Sequence, residues 1–277
     1  MPRLDQLVVD RALLPTRSKA QAAILAGQVL VNGRPASKPG VEVPPDSDVR
    51  LVAGDRYVSR GGHKLEHALR HFGLDPRHAR ALDVGASTGG FTDCLLQHGA
   101  ARVHAVDVGH GQLAWTLRND PRVVVMERVN ARALGPSAFA PGDLPFDMAV
   151  VDCSFISLRK VLPVLPPLLR AGADVVALVK PQFEAGKAEA DRGAGVITDP
   201  AVHRRVLAEL EAFTRSSSLG LEWHGAVESP LLGPAGNREF LARLRRREPG
   251  RAQDPGPAAG QSCPPEYSSP HGRRLAP

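Results

Sequence analysis

Asp83-Val84-Gly85-Ala86-Ser87-Thr88-Gly89-Gly90-Phe91 is the stretch on which the fold turns. Ala81-Leu82-Asp83-Val84 reads as a strand. The glycines after it read as a tight turn, because glycine accepts positive φ and lets the backbone approach a neighbour closely. Phe91, Leu95 and Leu96 then have helical spacing. Downstream the pattern repeats. Val103–Val108, Val123–Met126, Met148–Val151 and Ala173–Val179 read as strands. Leu158–Leu169 reads as helical material broken by prolines, and Val202–Phe213 as a helix with apolar residues at 202, 206, 207, 210 and 213. Leu219–Val227 and Phe240–Leu244 close the sheet. Strands alternating with helices predict an α/β fold with a parallel, doubly wound sheet.

Upstream lies a smaller α+β unit. Leu4, Leu7 and Val8 share one helix face, closed by Leu13 and Leu14, and Pro15 breaks the chain. Thr16 or Ser18 can cap a second helix through Ala20, Ala23 and Ile24 that stops at Gly27. Val29-Leu30-Val31, the turn Asn32-Gly33 and Val49–Val52 make a small sheet. The segments Ser18–Ile24 and Gly27–Gly33 resemble the S4-type RNA-binding domain, whose second helix and following strand bind structured RNA through shape and phosphate. On that resemblance Arg3, Arg17, Ser18, Lys19, Gln21, Asn32 and Arg34 are candidate RNA contacts, with Arg60 in the joint beyond.

The expected division is 1–53 for the S4-like domain, 54–62 for a polar, glycine-rich linker, 63–247 for the larger α/β domain and 248–277 for a disordered tail. That tail is rich in Pro, Gly, Ser, Gln and Arg and poor in large apolar residues, so it buries too little to fold alone.

Across 277 residues, 43% are hydrophobic and 23% charged, enough for a sizeable core. Thirty-five Lys and Arg against 29 Asp and Glu give a net charge of +6, which favours an anionic partner. The longest apolar runs fall well short of the roughly 18 residues a membrane span needs. The amino terminus, with Asp5 and Asp10, does not read as a signal peptide. Three cysteines without a CxxC pair exclude a disulfide framework and a structural zinc site as organising features. A reduced, cytoplasmic protein is the expectation.

Three readings of the glycine loop compete. A phosphate-binding P-loop needs Gly-Lys-Ser/Thr, which is absent. A dinucleotide fingerprint needs GxGxxG, whereas here Gly85 is followed by Gly89 and Gly90. The third resembles methyltransferase motif I, an S-adenosylmethionine loop, in which Asp83 can face the ligand's cationic amino and sulfonium groups. Asp107, 24 positions on and at the next strand's end, is placed to grip both hydroxyls of an adenosine ribose. The cofactor set is therefore Asp83, Gly85, Ala86, Ser87, Gly89, Gly90, Phe91 and Asp107.

Amino-methylating enzymes commonly carry Asn/Asp-Pro-Pro-Tyr after the fourth strand, where this chain has Asp152-Cys153-Ser154-Phe155. Methylation at base C5 needs a cysteine nucleophile, and Cys153 is the candidate, although a packing role suits it better. Lys64, Asp152, Lys180 and Glu239 come from distant parts of the chain, each where a strand end could bring them together. His63, His67 and His71 share one helix face, which reads as solvated rather than metal-binding.

At this point the resemblance becomes close. Tyr57–Leu65, Asp83–Phe91, Val151–Leu158, Leu178–Glu184 and Gly236–Phe240 resemble the FtsJ-type ribose 2′-O-methyltransferases, and the whole chain over 3–247 resembles the bacterial TlyA family, also labelled haemolysins. The resemblance implies methyl transfer to the 2′-hydroxyl of cytidine in ribosomal RNA, with Lys64, Asp152, Lys180 and Glu239 as the catalytic tetrad. It further implies S-adenosylmethionine as cofactor and ribosomal RNA or a ribosomal subunit as partner, with no metal and no membrane. Two other function classes stand beside it. A non-catalytic RNA-binding or assembly protein has no need of Asp107 or Lys180. A membrane-lytic protein lacks the strongly amphipathic cationic helix it would need.

Overall fold

The computed structural model describes residues 1–25, 27–52, 55–216 and 219–248. The expected disordered tail falls, apart from Glu248, outside the described residues.

The amino-terminal unit pairs α1 (Leu4–Asp10) with α2 (Arg17–Leu25) over a three-stranded antiparallel sheet of β1 (Val29–Val31), β2 (Arg34–Pro35) and β3 (Val49–Leu51), in the order β2-β1-β3. Thr16 caps α2, its Oγ1 accepting the Lys19 N–H at 3.2 Å. Asn32 (φ +50°) and Gly33 (φ +77°) make the β1–β2 turn. Leu4, Leu7, Val8, Ala20, Ala23, Ile24, Val29, Val43 and Val49 fill a core of the unit's own.

Residues from Tyr57 onward belong to the larger unit. Tyr57 is buried in the core beneath α3 (Gly61–Phe72) and α4 (Gly90–Gln97). The Val58 N–H donates to Asp93 Oδ2 at 2.8 Å, and Gln97 Nε2 donates to the Arg56 carbonyl at 2.8 Å. Arg56 pairs with Glu66, which Arg70 also grips at 2.6 Å. Within the stretch expected as a linker, 54–62, a buried aromatic and two carboxylates dock residues 56–58 onto the helices.

The large sheet comprises β4 (Arg80–Val84), β5 (Arg102–Val106), β6 (Val123–Met126), β7 (Phe146–Val151), β8 (Leu169–Val179), β9 (Leu221–Glu228) and β10 (Phe240–Arg246), in the order β6-β5-β4-β7-β8-β10-β9. Its five first strands are parallel, as expected. The departure is β10, which pairs antiparallel with both β8 and β9, so that β9 runs in the same direction as the first five. A parallel return needs a crossover of about a dozen residues or more, usually a helix. The connection 229–239 holds no helix, so the chain turns back and slots β10 into the gap beside β8.

Alternation along the strands sends residues to opposite faces. Leu82, Val84, Ala149, Val151, Val175, Ala177 and Val179 face one core, closed by α8 (Pro200–Ser216) through Val206 and Leu210. Ala81, Met148, Val150, Val176 and Leu178 face the other, closed by α3 and α4. Each fully buried aliphatic side chain contributes ~1.5–3 kcal/mol, so both faces stabilise the sheet strongly. Between β7 and β8 the expected proline-broken helical material takes the form of three 3₁₀ turns, 158–160, 162–164 and 166–168. Pro163, Pro166 and Pro167 each remove an N–H donor, which prevents a continuous α-helix. Short helices α5 (Trp115–Arg118), α6 (Pro181–Glu184) and α7 (Lys187–Arg192) complete the chain. No helix of the described residues is long and apolar enough to cross a membrane.

Strand order reverses between β4 and β7, and open α/β sheets bind ligands beyond the carboxyl ends of the strands at such a point.

Candidate active site

A cavity of about 710 Å3 opens there, lined by residues from the ends of β4, β5, β6 and β7. Gly85 (φ +89°) forms its floor, and a Cβ at this position would sit 2.6 Å from the Asp152 carbonyl oxygen. Glycine is therefore required where β4 passes the end of β7. Asp107 ties two loops together: Oδ2 accepts the Ser87 N–H at 2.8 Å and Oδ1 accepts the Gly109 N–H at 2.7 Å. Gly85, Ser87, Asp107, Gln112, Asn130, Arg132, Asp152 and Ser154 are among the lining residues.

Ala86, Gly89, Gly90 and Phe91, the rest of the expected cofactor run, are not among the residues that line this cavity. Ala86 is buried. A side chain at Gly89 would meet Leu113 and Leu117, and one at Gly90 would meet Ser59 and the Gly62 backbone. Phe91 is buried in the core under α3. These four residues pack the loop and α4 into place, and the cavity wall is made by others.

Asp83 is fully buried at the end of β4. Thr92 Oγ1 donates to its Oδ2 at 2.6 Å, while Oδ1 has no hydrogen-bond partner among the described residues. Burial is the main cause that pushes this carboxyl up to about 7; the Thr92 bond opposes the rise and the nearby Asp152 adds to it. An orphaned acidic oxygen beneath a cavity with Asp107 on its wall fits a ligand that carries both a cationic group and a ribose diol.

Beside this cavity the four residues expected to act together are drawn into two ion pairs. Lys180, at the end of β8, places Nζ 2.6 Å from Asp152 Oδ1 and donates to Ser154 Oγ at 2.9 Å. Lys64, in the first turn of α3, places Nζ 2.5 Å from Glu239 Oε2. The β8–β10 register, Val179 opposite Phe240, sets Glu239 across from Lys180. Asn237 holds the approach to Glu239: its Oδ1 accepts the Ile197 N–H at 2.9 Å and its Nδ2 donates to the Gly195 carbonyl at 2.8 Å. Lys64, Lys180 and Glu239 are all buried, while Asp152 keeps 26% of its side chain exposed. Pairing each cation with a carboxylate is what makes such burial tolerable.

Cys153 lies beside them, its thiol directed at the Val84 carbonyl at 3.6 Å. Burial above all, with the neighbouring Asp152, pushes this thiol up to about 12. A thiolate nucleophile is thus disfavoured and packing is its role here.

Several lining residues were not singled out from sequence. Phe155 is 90% exposed at φ +63°, with its ring centroid 5.2 Å from that of Phe183. Arg132 and Lys160 are exposed on the rim. The aromatic that ends the Asn/Asp-Pro-Pro-Tyr motif of other methyltransferases was a signal for Phe155, which is likewise the fourth residue of Asp152-Cys153-Ser154-Phe155. Ser154 carried no signal, since its partner is distant in sequence.

Three of the RNA candidates of the smaller unit, Arg3, Arg17 and Gln21, gather on one buried acid. Asp5 accepts from Arg3 twice at 3.1 Å, from Arg17 at 3.0 Å and from Gln21 at 2.7 Å. The Arg3 bonds, first among several donors, hold its carboxyl far below the usual range. Both arginine side chains remain half exposed. Ser18, Lys19, Arg34 and Arg60 are exposed. Asn32 is bound up in its turn, where Oδ1 accepts the Asp48 N–H at 2.9 Å. His63 pairs with Asp55, and His67 stacks on His71 with ring centroids 6.3 Å apart. Among the described residues no cluster could hold a metal ion.

Residues 57–246 match the FtsJ-like methyltransferase family and residues 2–49 match the S4 domain. A Mycobacterium tuberculosis protein named 16S/23S rRNA (cytidine-2′-O)-methyltransferase TlyA is 48% identical over 88% of this chain and 89% of its own. Hemolysin A of Brachyspira hyodysenteriae is 41% identical over 87% of this chain and 99% of its own. A solved structure from Streptococcus thermophilus, carrying a hemolysin label, superposes with a TM-score of 0.68 at 43% identity and covers 89% of each chain.

Proposed function

The chain belongs to the FtsJ-like methyltransferase family, in the group that joins an S4 domain to the catalytic domain, and from that premise we propose that it methylates the 2′-hydroxyl of cytidine in ribosomal RNA. S-adenosylmethionine is the methyl donor. One observation carries the reading: the pair Lys180–Asp152 at the ends of β8 and β7, and the pair Lys64–Glu239 that joins α3 to the start of β10, beside a cavity walled by Asp107.

A ribose hydroxyl is a poor nucleophile until its proton is removed or strongly polarised, and it must lie in line with the leaving sulfur. Lys180 is the base. The 2′-oxygen bonds the methyl carbon as the carbon–sulfur bond breaks; the bonding pair stays on sulfur and the proton passes to Lys180 Nζ. Asp152 orients Lys180, Glu239 orients Lys64, and Lys64 positions the pair from the α3 side. Asp107 accepts from the adenosine ribose, and the acidic Asp83 answers the donor's cationic end. Phe155 and Phe183 offer aromatic faces at the mouth on which an unstacked base can rest.

The S4 domain supplies RNA affinity through Arg3, Arg17, Ser18, Lys19 and Arg34, with Arg60 between the units and Gln21 holding Asp5. Phosphate contacts make that affinity fall with salt. The place of work is the cytoplasm, where ribosomal subunits are found.

The deciding experiment incubates ribosomal RNA and subunits with labelled S-adenosylmethionine and the protein, then hydrolyses with alkali. A 2′-O-methyl blocks cleavage at its own linkage, so label in an alkali-resistant dinucleotide is the expected result. Label recovered wholly in mononucleotides means base methylation and rejects the proposal.

A further inference from the structure

Glu239 divides its carboxylate between two neighbours. Oε2 meets Lys64 Nζ at 2.5 Å. Oε1 lies against Gly233, where an added Cβ would sit 2.5 Å from that oxygen and 3.1 Å from the carboxyl carbon. Gly233, Glu239 and Lys64 are all buried. Gly233 is not one of the left-handed glycines, in contrast to Gly236 at φ +91° three positions on. Its φ would suit alanine, so what a Cβ offends here is the carboxylate. We propose that Gly233 is a positioning residue: its bare Cα is the seat that lets the Glu239 carboxylate lie back far enough to meet Lys64. The inference rests on the reading of the Lys64–Glu239 pair as part of the methyl-transfer site.

The seat is tied down on every side the chain offers. The Gly233 N–H donates to the Asn237 carbonyl at 2.8 Å and the Gly236 N–H to the Gly233 carbonyl at 2.9 Å, which closes a turn over 233–237. The buried Asn237 side chain fastens that turn to the segment before α8, through the Ile197 N–H and the Gly195 carbonyl. Beyond the turn, the Ser229 N–H donates to the Glu239 carbonyl at 2.8 Å and pins the backbone from which the carboxylate hangs. With turn and backbone both held, a Cβ at 233 is relieved most cheaply by moving the carboxylate, the far end of a flexible side chain. Oε2 then moves with it, and Lys64 is left buried beside a displaced partner, a costly state for a cation.

Single-turnover methyl transfer to ribosomal RNA, calorimetry with S-adenosylmethionine and thermal melts test the idea on the full chain, with Gly233→Ala, Glu239→Ala and the Gly233→Ala/Glu239→Ala double variant. Gly233→Ala is expected to slow methyl transfer by about ten- to a hundredfold and to lower the melting temperature, with S-adenosylmethionine affinity unchanged. In the Glu239→Ala background the shortened side chain leaves room for the new methyl, so Gly233→Ala should change neither rate nor melting temperature. A Gly233→Ala enzyme at full rate overturns the proposal. So do equal losses in both backgrounds, since the glycine then serves the turn and not the carboxylate. Should Gly233→Ala fail to fold, the double variant decides: one as stable as Glu239→Ala is expected, and one that is unfolded as well overturns the proposal. A fully active Glu239→Ala enzyme is a different failure: the pair then has no part in the reaction, and the underlying reading falls.

Discussion

Asp107 accepts the backbone N–H of Ser87 at 2.8 Å, so the acid at the end of β5 holds in place the glycine loop that leaves β4. Its other oxygen takes the Gly109 N–H at 2.7 Å. The residue that would grip a ribose is thus also the clasp of the pocket's two loops, and cofactor binding and local order share one side chain.

Asp107→Ala should therefore act twice. Losing a charge-assisted acceptor should weaken S-adenosylmethionine binding by roughly ten- to a hundredfold, ~1.5–3 kcal/mol. Losing the clasp should also lower the melting temperature of the free protein. RNA affinity should stay nearly intact. Calorimetry with cofactor, filter binding with RNA and a thermal melt check all three; unchanged cofactor affinity rejects the assignment.

Lys180→Ala should cut the single-turnover rate by about a hundredfold or more with cofactor affinity little changed. Lys180→Arg should be nearly as inactive, because a guanidinium stays protonated and cannot serve as base. A fully active arginine variant would leave position 180 an electrostatic clamp.

Cys153→Ser should keep its activity. The thiol is pushed up to about 12 by burial and holds the Val84 carbonyl rather than facing a base. An inactive but well-folded, cofactor-binding serine variant would revive the cysteine-nucleophile reading.

The buried Asp83 predicts a pH signature. Its carboxyl stands at about 7 in the folded chain, against roughly 3.9 in an unfolded one. The folded state thus holds the proton more tightly. The stability this gives is fully present below about pH 4 and lost as pH rises through about 7. Asp83→Asn, neutral throughout, should gain stability over the parent between pH 5 and 8, by a few kcal/mol at most. Urea melts of both proteins across that range measure the difference, and a flat one contradicts the buried acid. A cationic ligand should in turn expel the proton, seen as a buffer-dependent binding enthalpy near pH 6.5 that Asp83→Asn lacks.

Asp5→Ala should loosen the S4 domain and its RNA grip together. Three donors lose their shared buried acceptor, at on the order of 2–3 kcal/mol once the half-exposed arginines are allowed for. RNA binding should weaken and lose part of its salt dependence. Cofactor affinity in the same protein should not move. Undiminished RNA binding at every salt concentration would place the anchor elsewhere.

The sequence by itself determined everything that short-range chemistry can write. The strand–glycine–helix unit at 81–96, the strand-end Asp107 and the helix–hairpin pattern of 1–52 are local, because side-chain period and turn chemistry act over a few residues. The four candidate catalytic residues were legible by type and by place at strand ends. What joins them was not. Lys64 and Glu239 are 175 positions apart, and their meeting is decided by the register of β10 on β8 and by α3 packing across the sheet. Tertiary packing also sorted the glycine run. Gly85 floors the cavity, while Gly89, Gly90 and Phe91 turn inward against Leu113, Leu117, Ser59 and α3. It turned the last strand antiparallel, since 229–239 offers no helix to carry a parallel return. And it brought Ser154 to Lys180 across 26 positions, because β7 and β8 pair side by side and run the same way.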